Sequence, residues 1–267
     1  MPRSIWNGTI SFGLVNVPVG LYSAIQPKSI SFHEMTKSGH RIRHKRVDEK
    51  TGREVDYNAI VKGYERSNGK YVLVEPEELD AAAPTQTRTI EIEDFVDLAD
   101  IDPIYYNATY YVSPRSGNGA DKAYVLLREA MERSGRAAIG RFVMRTKQYL
   151  VVIRPDDNML VLETLYFADE VRNPKELDIP SRVKVSPNEV KIAKQLIDSL
   201  TREWDPKHYK DTYRAALQKV IERVAKGEEI TVEEPDEEHA EVVDLVEALQ
   251  RSLDAKKKPR ARKRRAS

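Results

Sequence analysis

Residues 4–24 read SIWNGTISFGLVNVPVGLYSA, and their alternation dictates how the chain must begin. Trp6, Ile10, Phe12 and Leu14 fall on one face of a strand, with Gly8 between them, while Asn7, Thr9 and Ser11 fall on the other. The apolar parity then flips to Val15, Val17, Val19 and Leu21. A period-two pattern changes phase only at a turn or a bulge, because side chains alternate strictly across a sheet. Gly13 stands where that break is needed. The chain therefore opens on a β-element with a sharp register change.

Strand signals continue to about residue 113. Tyr71 to Val74, Arg88 to Val96 and Thr109 to Val112 read as strands; Pro84 and Pro103 mark breaks, and Gly63 and Asn68-Gly69 supply turns. Asp121 to Ser134 reads as a helix with Ala123, Leu127, Ala130 and Met131 on one face and Gly135 just past its end. Ala137 to Val143, Tyr149 to Ile153 and Met159 to Leu165 alternate again, as antiparallel strands do. Strands, one helix, then strands describe a barrel or sandwich rather than a βαβ unit. From Ser186 the pattern turns helical. Ser186 caps, Pro187 suits the first helical position and Glu189 completes a capping box. Ala193, Leu196, Ile197, Leu200 and Trp204 form its stripe. A second helix is expected over about 207–226, with Tyr209, Tyr213, Leu217, Val220 and Val224 as its stripe.

A length of 267 residues allows one large domain plus a small appendage, and 40% apolar residues suffice for a sizeable core. There is no cysteine, hence no disulfide framework, thiolate metal site or thiol nucleophile. MPRSIWNG lacks the apolar run of a signal peptide and no stretch has the length of a membrane span, which points to a soluble cytoplasmic protein with no membrane partner. The net charge of +1 conceals an asymmetry. Residues 228–241 hold eight acids and no Lys or Arg, while Lys256 to Arg265 holds eight cations and no acid. Residues 1–227 are left at about +3. Residues 228–255 read as an acidic linker and a short amphipathic helix carrying Val242, Leu245, Val246, Leu249 and Leu253. Residues 256–267 have nothing with which to form a core and are expected to be disordered.

Two internal groups of cations join that tail as candidate contacts to a polyanion. The first is Arg41, Arg43, Lys45, Arg46 and Arg53. Alternation would place Arg41, Arg43 and Lys45 on one strand face and His40, His44 and Arg46 on the other. Such a row can follow a phosphate backbone, since phosphate contacts need charge and reach rather than a unique geometry. A solvated charged strand is the plainer reading of the residues alone. The second group is Arg136, Arg141, Arg145 and Lys147, within an acid-free run from Arg133 to Lys147. In the tail, Lys256, Lys257, Lys258, Arg260, Arg262, Lys263, Arg264 and Arg265 suit sequence-independent binding of DNA, or a solubilising role. Tyr105, Tyr106, Tyr110 and Tyr111 suit packing better than base stacking. His40 and His44 have a helical ligand spacing on what reads as a strand, so no metal is expected. No nucleophile with its base, no set carboxylate pair and no phosphate-cradling glycine loop is present, so neither catalysis nor a cofactor is expected.

The opening stretch, ISFH at 30–33, RIRHKRV at 41–47, IVKGY at 60–64, EIEDFV at 91–96, YVLL at 124–127 and DTY at 211–213 follow one another in an order and spacing that resemble the bacterial Ku family. These are the DNA-end-binding proteins of non-homologous end joining. The resemblance runs to about Gly227. It implies a mixed β and α fold: a Ku-type β-barrel with bridge and pillar elements over residues 1–185, which closes a ring as a homodimer. Residues 186–227 would be the helical arm that embraces the partner. It also implies a role without catalysis, in which the ring threads onto double-stranded DNA ends and recruits the bacterial multifunctional ATP-dependent DNA ligase through the C-terminal region. With the resemblance, the cations of 41–53 read as phosphate contacts. Some relatives carry a CxxC-like pair where this chain has Asp48 and Thr51. A nucleoid-associated or phage-type end-protecting protein without a ligase partner is the alternative.

Overall fold

A computed structural model describes residues 3–82, 88–115, 119–180, 183–228, 248 and 250–252. The chain divides into two compact units, Met1–Pro174 and Lys175–Ser267.

The first unit is a closed barrel. Its strands are β1 (Trp6–Phe12), β2 (Val15–Ser23), β5 (Thr89–Asp97), β6 (Tyr106–Pro114), β7 (Arg136–Met144), β8 (Lys147–Asp156) and β9 (Met159–Leu165). They lie in the order β1-β2-β6-β9-β8-β7-β5. Every neighbouring pair is antiparallel except β1 with β5, whose parallel pairing of Thr9–Ser11 with Thr89–Glu91 closes the cylinder. The phase change at Gly13 is a tight hairpin. Phe12 pairs with Val15, leaving Gly13-Leu14 as a two-residue loop, and Gly13 has φ +58°. Positive φ at the first loop position is the geometry in which glycine is favoured.

Closure turns alternation into an inside and an outside. Ile10, Val17, Val19, Leu21, Ile90, Val112, Val151, Ile153, Leu160 and Leu162 fill the interior. Each such side chain stabilises the fold by about 1.5–3 kcal/mol relative to its exposed state. Helix α2 (Ala120–Ser134) packs against β2, β6, β7 and β8 and adds Tyr124, Leu127 and Met131 to the same core. Its stripe is Ala120, Tyr124, Leu127 and Met131. Ala130, expected on that stripe, is exposed, because the i, i+4, i+7, i+11 progression rotates it out of the contact. A smaller cluster of Ala137, Val152 and Leu165 lies on the alternate parity of these strands, under Ile101, Tyr105 and Tyr106.

Between β2 and β5 runs a long excursion with β3 (Lys62–Glu65), β4 (Tyr71–Val74) and α1 (Pro76–Ala82). β3 and β4 form a two-stranded antiparallel sheet of their own.

In the second unit, α3 (Pro187–Leu200) starts as its sequence dictates. The Ser186 side chain accepts from the Glu189 amide, and Glu189 accepts from the Ser186 amide in return. Ile192 is the buried residue of α3, whereas Ile197 and Leu200 are exposed. Trp204 lies beyond the helix end and stacks on Tyr209, with ring centroids 5.1 Å apart. The second helix begins later than expected. Pro206–His208 forms a short 3₁₀ turn, and Asp211 then caps α4 (Thr212–Ala225). Tyr213, Val220 and Val224 are exposed on it. Of the segment expected as a short helix near the C-terminus, residues 248 and 250–252 are described, and they are helical. Val242, Leu245, Val246, Leu249 and Leu253 lie outside the described residues.

Candidate nucleic-acid interface

The first group of cations does not lie on a strand. Residues 33–56 fold as two tight loops, each closed by an isolated bridge, Met35 with Arg41 and Val47 with Glu54. In the first loop the Thr36 amide donates to His40 O and the Ile42 amide to Glu34 O. In the second, the Asp48 amide donates to Arg53 O and the Val55 amide to Arg46 O. The expected strand faces, Arg41, Arg43 and Lys45 opposite His40, His44 and Arg46, are therefore absent. The reason is local: Gly39 and Gly52 hold φ +84° and +65°, and each turns the backbone before a ladder can extend.

Every residue of the segment but the half-buried Val55 is exposed. Arg41 Nη2 lies 3.0 Å from His33 Nδ1, and Lys45 Nζ lies 2.6 Å from Glu54 Oε2. His44 meets Glu34 at 2.9 Å, and the Arg46 guanidinium lies 5.1 Å from the centre of the Tyr57 ring. Exposed pairs of this kind contribute little to stability, so their cations can exchange partners for a phosphate at small cost. Arg43 and Arg53 are exposed alongside them.

Asp48 and Thr51, at the positions of the CxxC-like pair, make hydrogen bonds instead. The Thr51 amide and hydroxyl both donate to Asp48 Oδ1, at 2.7 and 2.9 Å. These donors hold the Asp48 carboxyl below its ordinary value. The turn is thus closed by a carboxylate that accepts from one N–H and one O–H of Thr51. Among the described residues no group of His, Asp or Glu converges as a metal site would require.

The second group departs from expectation in a different way. Its sequence is acid-free, but its surroundings are not, because neighbouring strands supply the carboxylates. Arg141 Nη2 donates to Glu93 Oε2 at 2.9 Å, and Lys147 Nζ lies 3.6 Å from Glu170 Oε1. Arg136 opens β7 opposite Asp97. Arg145 sits in the loop after the other end of β7, about 30 Å along the strand from Arg136 at the usual rise. The four cations therefore spread along the barrel rather than form one patch. The tail cations Lys256, Lys257, Lys258, Arg260, Arg262, Lys263, Arg264 and Arg265 lie outside the described residues.

Three of the four tyrosines pack. Tyr105 and Tyr106 cover the outer cluster and Tyr110 lies against the barrel core, while Tyr111 is 45% exposed. Near Tyr106, Arg154 Nε donates to Glu163 Oε1 at 3.0 Å. Glu163 is buried, and its Oε2 has no partner among the described residues. Burial, more strongly than the opposing Arg154 charge, pushes the Glu163 carboxyl up. Burial and the Glu163 charge also raise the Tyr106 phenol.

Two exposed features were not singled out by sequence. The β3–β4 hairpin carries Lys62, Arg66 and Lys70 among exposed Tyr64, Tyr71, Val72 and Leu73. A two-stranded ribbon with so little burial has marginal stability by itself. Arg88 joins Arg145 at the rim of a cleft on the barrel. Neither feature forms a charge run, the only signal that a linear reading of cations detects.

The family model described as "Ku: Ku70/Ku80 beta-barrel domain" matches residues 11–192. Non-homologous end joining protein Ku 1 of Saccharopolyspora erythraea is 47% identical over 97% of this chain and 81% of its own length. The corresponding protein of Coxiella burnetii is 40% identical, over 96% of each chain. That of Archaeoglobus fulgidus is 42% identical over 96% of this chain and 100% of its own.

Proposed function

The chain belongs to the Ku family, and on that premise we propose that it binds double-stranded DNA ends without regard to sequence, as a ring-shaped homodimer in non-homologous end joining. The observation that carries the reading is the match, over nearly the whole length, to proteins named for that process.

The physical features are those such a clamp needs. Exposed cations on the loops of 33–56 and on the β3–β4 hairpin supply charge without a rigid base-reading geometry. Contacts to phosphate position a duplex and carry no sequence information, and repair cannot choose the sequence of a break. Helices α3 and α4 bury a single residue, Ile192, and expose Ile197, Leu200, Tyr213 and Val224, with Trp204 exposed in the segment that joins them. Trp204 is 76% exposed, a large apolar surface for a lone chain, and a second copy is the partner that would cover it. A closed ring explains the preference for ends, since a duplex enters it only through a terminus.

The protein acts as clamp and recruiter rather than as an enzyme. It protects ends on the bacterial chromosome in the cytoplasm and hands them to the multifunctional ATP-dependent DNA ligase. That ligase is met through Val242, Leu245, Val246, Leu249 and Leu253, while the basic tail holds flanking DNA. The test is affinity for a linear duplex against a relaxed closed circle of the same sequence, together with ligase turnover on the linear form. Preference for the linear form with faster ligation supports the proposal. End preference without ligase stimulation supports an end-protecting protein, and equal affinity for both forms contradicts the ring.

A further inference from the structure

The β3–β4 ribbon leaves a strand edge uncovered. Among the described residues β4 has β3 as its sole neighbour. Its four residues, Tyr71 to Val74, are all apolar or aromatic, and Tyr71, Val72 and Leu73 are exposed. The unpaired N–H and C=O groups of such an edge are a template for pairing with another chain. Proteins ordinarily guard it with a lysine, a proline or a bulge, or by keeping the strand short. Along Tyr71–Val74 there is no lysine and no proline, and the register with β3 runs without a bulge. Shortness is the one guard this edge has.

The register shows what the edge presents. The Arg66 amide donates to Lys70 O, so these two form a hydrogen-bonded pair at the turn. In an antiparallel ladder such pairs alternate with pairs that are not bonded. Tyr64 with Val72 and Lys62 with Val74 are therefore bonded pairs, whereas Glu65 with Tyr71 and Gly63 with Leu73 are not. The N–H and C=O groups of Tyr71 and Leu73 thus point away from β3, toward the open edge. A second β4, brought up antiparallel about a two-fold axis at Val72, fits this pattern. Tyr71 then faces Leu73 of the partner subunit, and Leu73 faces Tyr71 of the partner subunit. Every outward N–H and C=O of these residues gains a partner. On one face an aromatic–aliphatic pair forms twice; on the other, Val72 meets its own copy. Lys70 falls opposite Val74, so no like charges are opposed.

We propose that β4 is a self-pairing edge, at which two copies of the chain join their ribbons into one four-stranded antiparallel sheet in the order β3-β4-β4-β3. The occupant is a second copy because the edge is complementary to itself in this register. Two-fold pairing is isologous, so it closes on two copies and does not propagate. A two-stranded ribbon is marginal and further strands stabilise it, so the hairpin gains its stable form in the pair. The pairing rests on the homodimer proposed above, because so short a strand pairs firmly only where other contacts hold the copies close. It names one place where those copies meet.

The chain has no cysteine, so a single introduced one reports on its own surroundings. Val72→Cys and Tyr64→Cys variants of the full chain are oxidised mildly, and cross-linked dimer is followed on non-reducing gels. Light scattering of the reduced protein gives its mass. In the paired sheet residue 72 and its copy form a non-hydrogen-bonded pair with Cα atoms about 4.5 Å apart, within reach of a disulfide. Residue 64 lies on the same face but three strand spacings from its copy, about 14 Å, which is out of reach. Val72→Cys is expected to cross-link nearly completely, and Tyr64→Cys about tenfold more slowly or less. Leu73→Pro is then added to Val72→Cys. Residue 73 does not donate to β3, so proline there removes an outward donor and leaves the ribbon intact. Cross-linking should slow about tenfold while the barrel melts at the parent temperature. Equal cross-linking of the two cysteine variants overturns the pairing, as does the absence of slowing by Leu73→Pro. A dimeric protein that fails to cross-link as Val72→Cys also overturns it and leaves the homodimer standing. A monomeric mass that stays monomeric on oxidation removes the homodimer reading itself, and the pairing with it.

Discussion

The Tyr124 hydroxyl donates to Val112 O and accepts from the Leu160 amide, both at 2.7 Å, and so ties α2 to β6 and β9. Tyr124→Phe keeps the ring but leaves a buried carbonyl and a buried amide unpaired. The expected cost is about 1–3 kcal/mol, read as a lower urea midpoint with an unchanged slope. Glu163 gives a second test, in pH. Its folded carboxyl holds a proton to higher pH than the unfolded chain does, where the ordinary value is about 4.5. Below that value the group contributes nothing to the pH dependence. As pH rises through the window between 4.5 and the raised folded value, the unfolded state ionises first and stability falls. Glu163→Gln removes this term, so the variant should gain on the parent across that window and hold the gain above it. Parallel stability curves would show that Glu163 titrates normally. Nothing in a linear pattern announces this residue: Glu163 and Thr164 interrupt an apolar run in β9, and the meaning of Glu163 depends on Arg154 of the neighbouring strand.

At the scale of elements, what could be read in advance was whatever depends on neighbours close in sequence. The phase break at Gly13, the C-terminal end of α2 and the capping box of α3 all rest on contacts within a few residues. What could not be read depends on distant partners. Glu93 and Glu170 reach the cations of β7 and β8 from other elements, so an acid-free run does not make an acid-free surface. The basic segment misled for a related reason. Its alternating charges resemble a strand pattern, yet two glycines and the Asp48–Thr51 bonds make loops of it. The arginine cleft was invisible because it joins Asn7, Arg88 and Arg145, which only barrel closure brings together. The Asp48 turn makes its own prediction. The Asp48 carboxyl should titrate below 3.8, and the Thr51 amide resonance should move with the same midpoint. A chelator should leave that resonance and the melting temperature untouched. A stoichiometric metal whose removal unfolds the loop would show that the hydrogen bonds do not suffice to close it.

For the whole molecule, the central claim is topological: two chains close around DNA, so entry and exit require an end. The most direct measurement loads the protein on a linear duplex, blocks both ends with bulky groups, and then raises salt. A chain shortened to Ala255 is used, so that tail cations cannot bind the duplex from the side. Salt weakens every phosphate contact but does not open a covalently continuous path, so charge and topology separate. The account predicts that protein loaded before blocking stays on the duplex at a salt concentration that strips it from an unblocked one, and that cutting the DNA once releases it. Equal loss from blocked and unblocked duplex would contradict the ring and leave an open basic surface in its place.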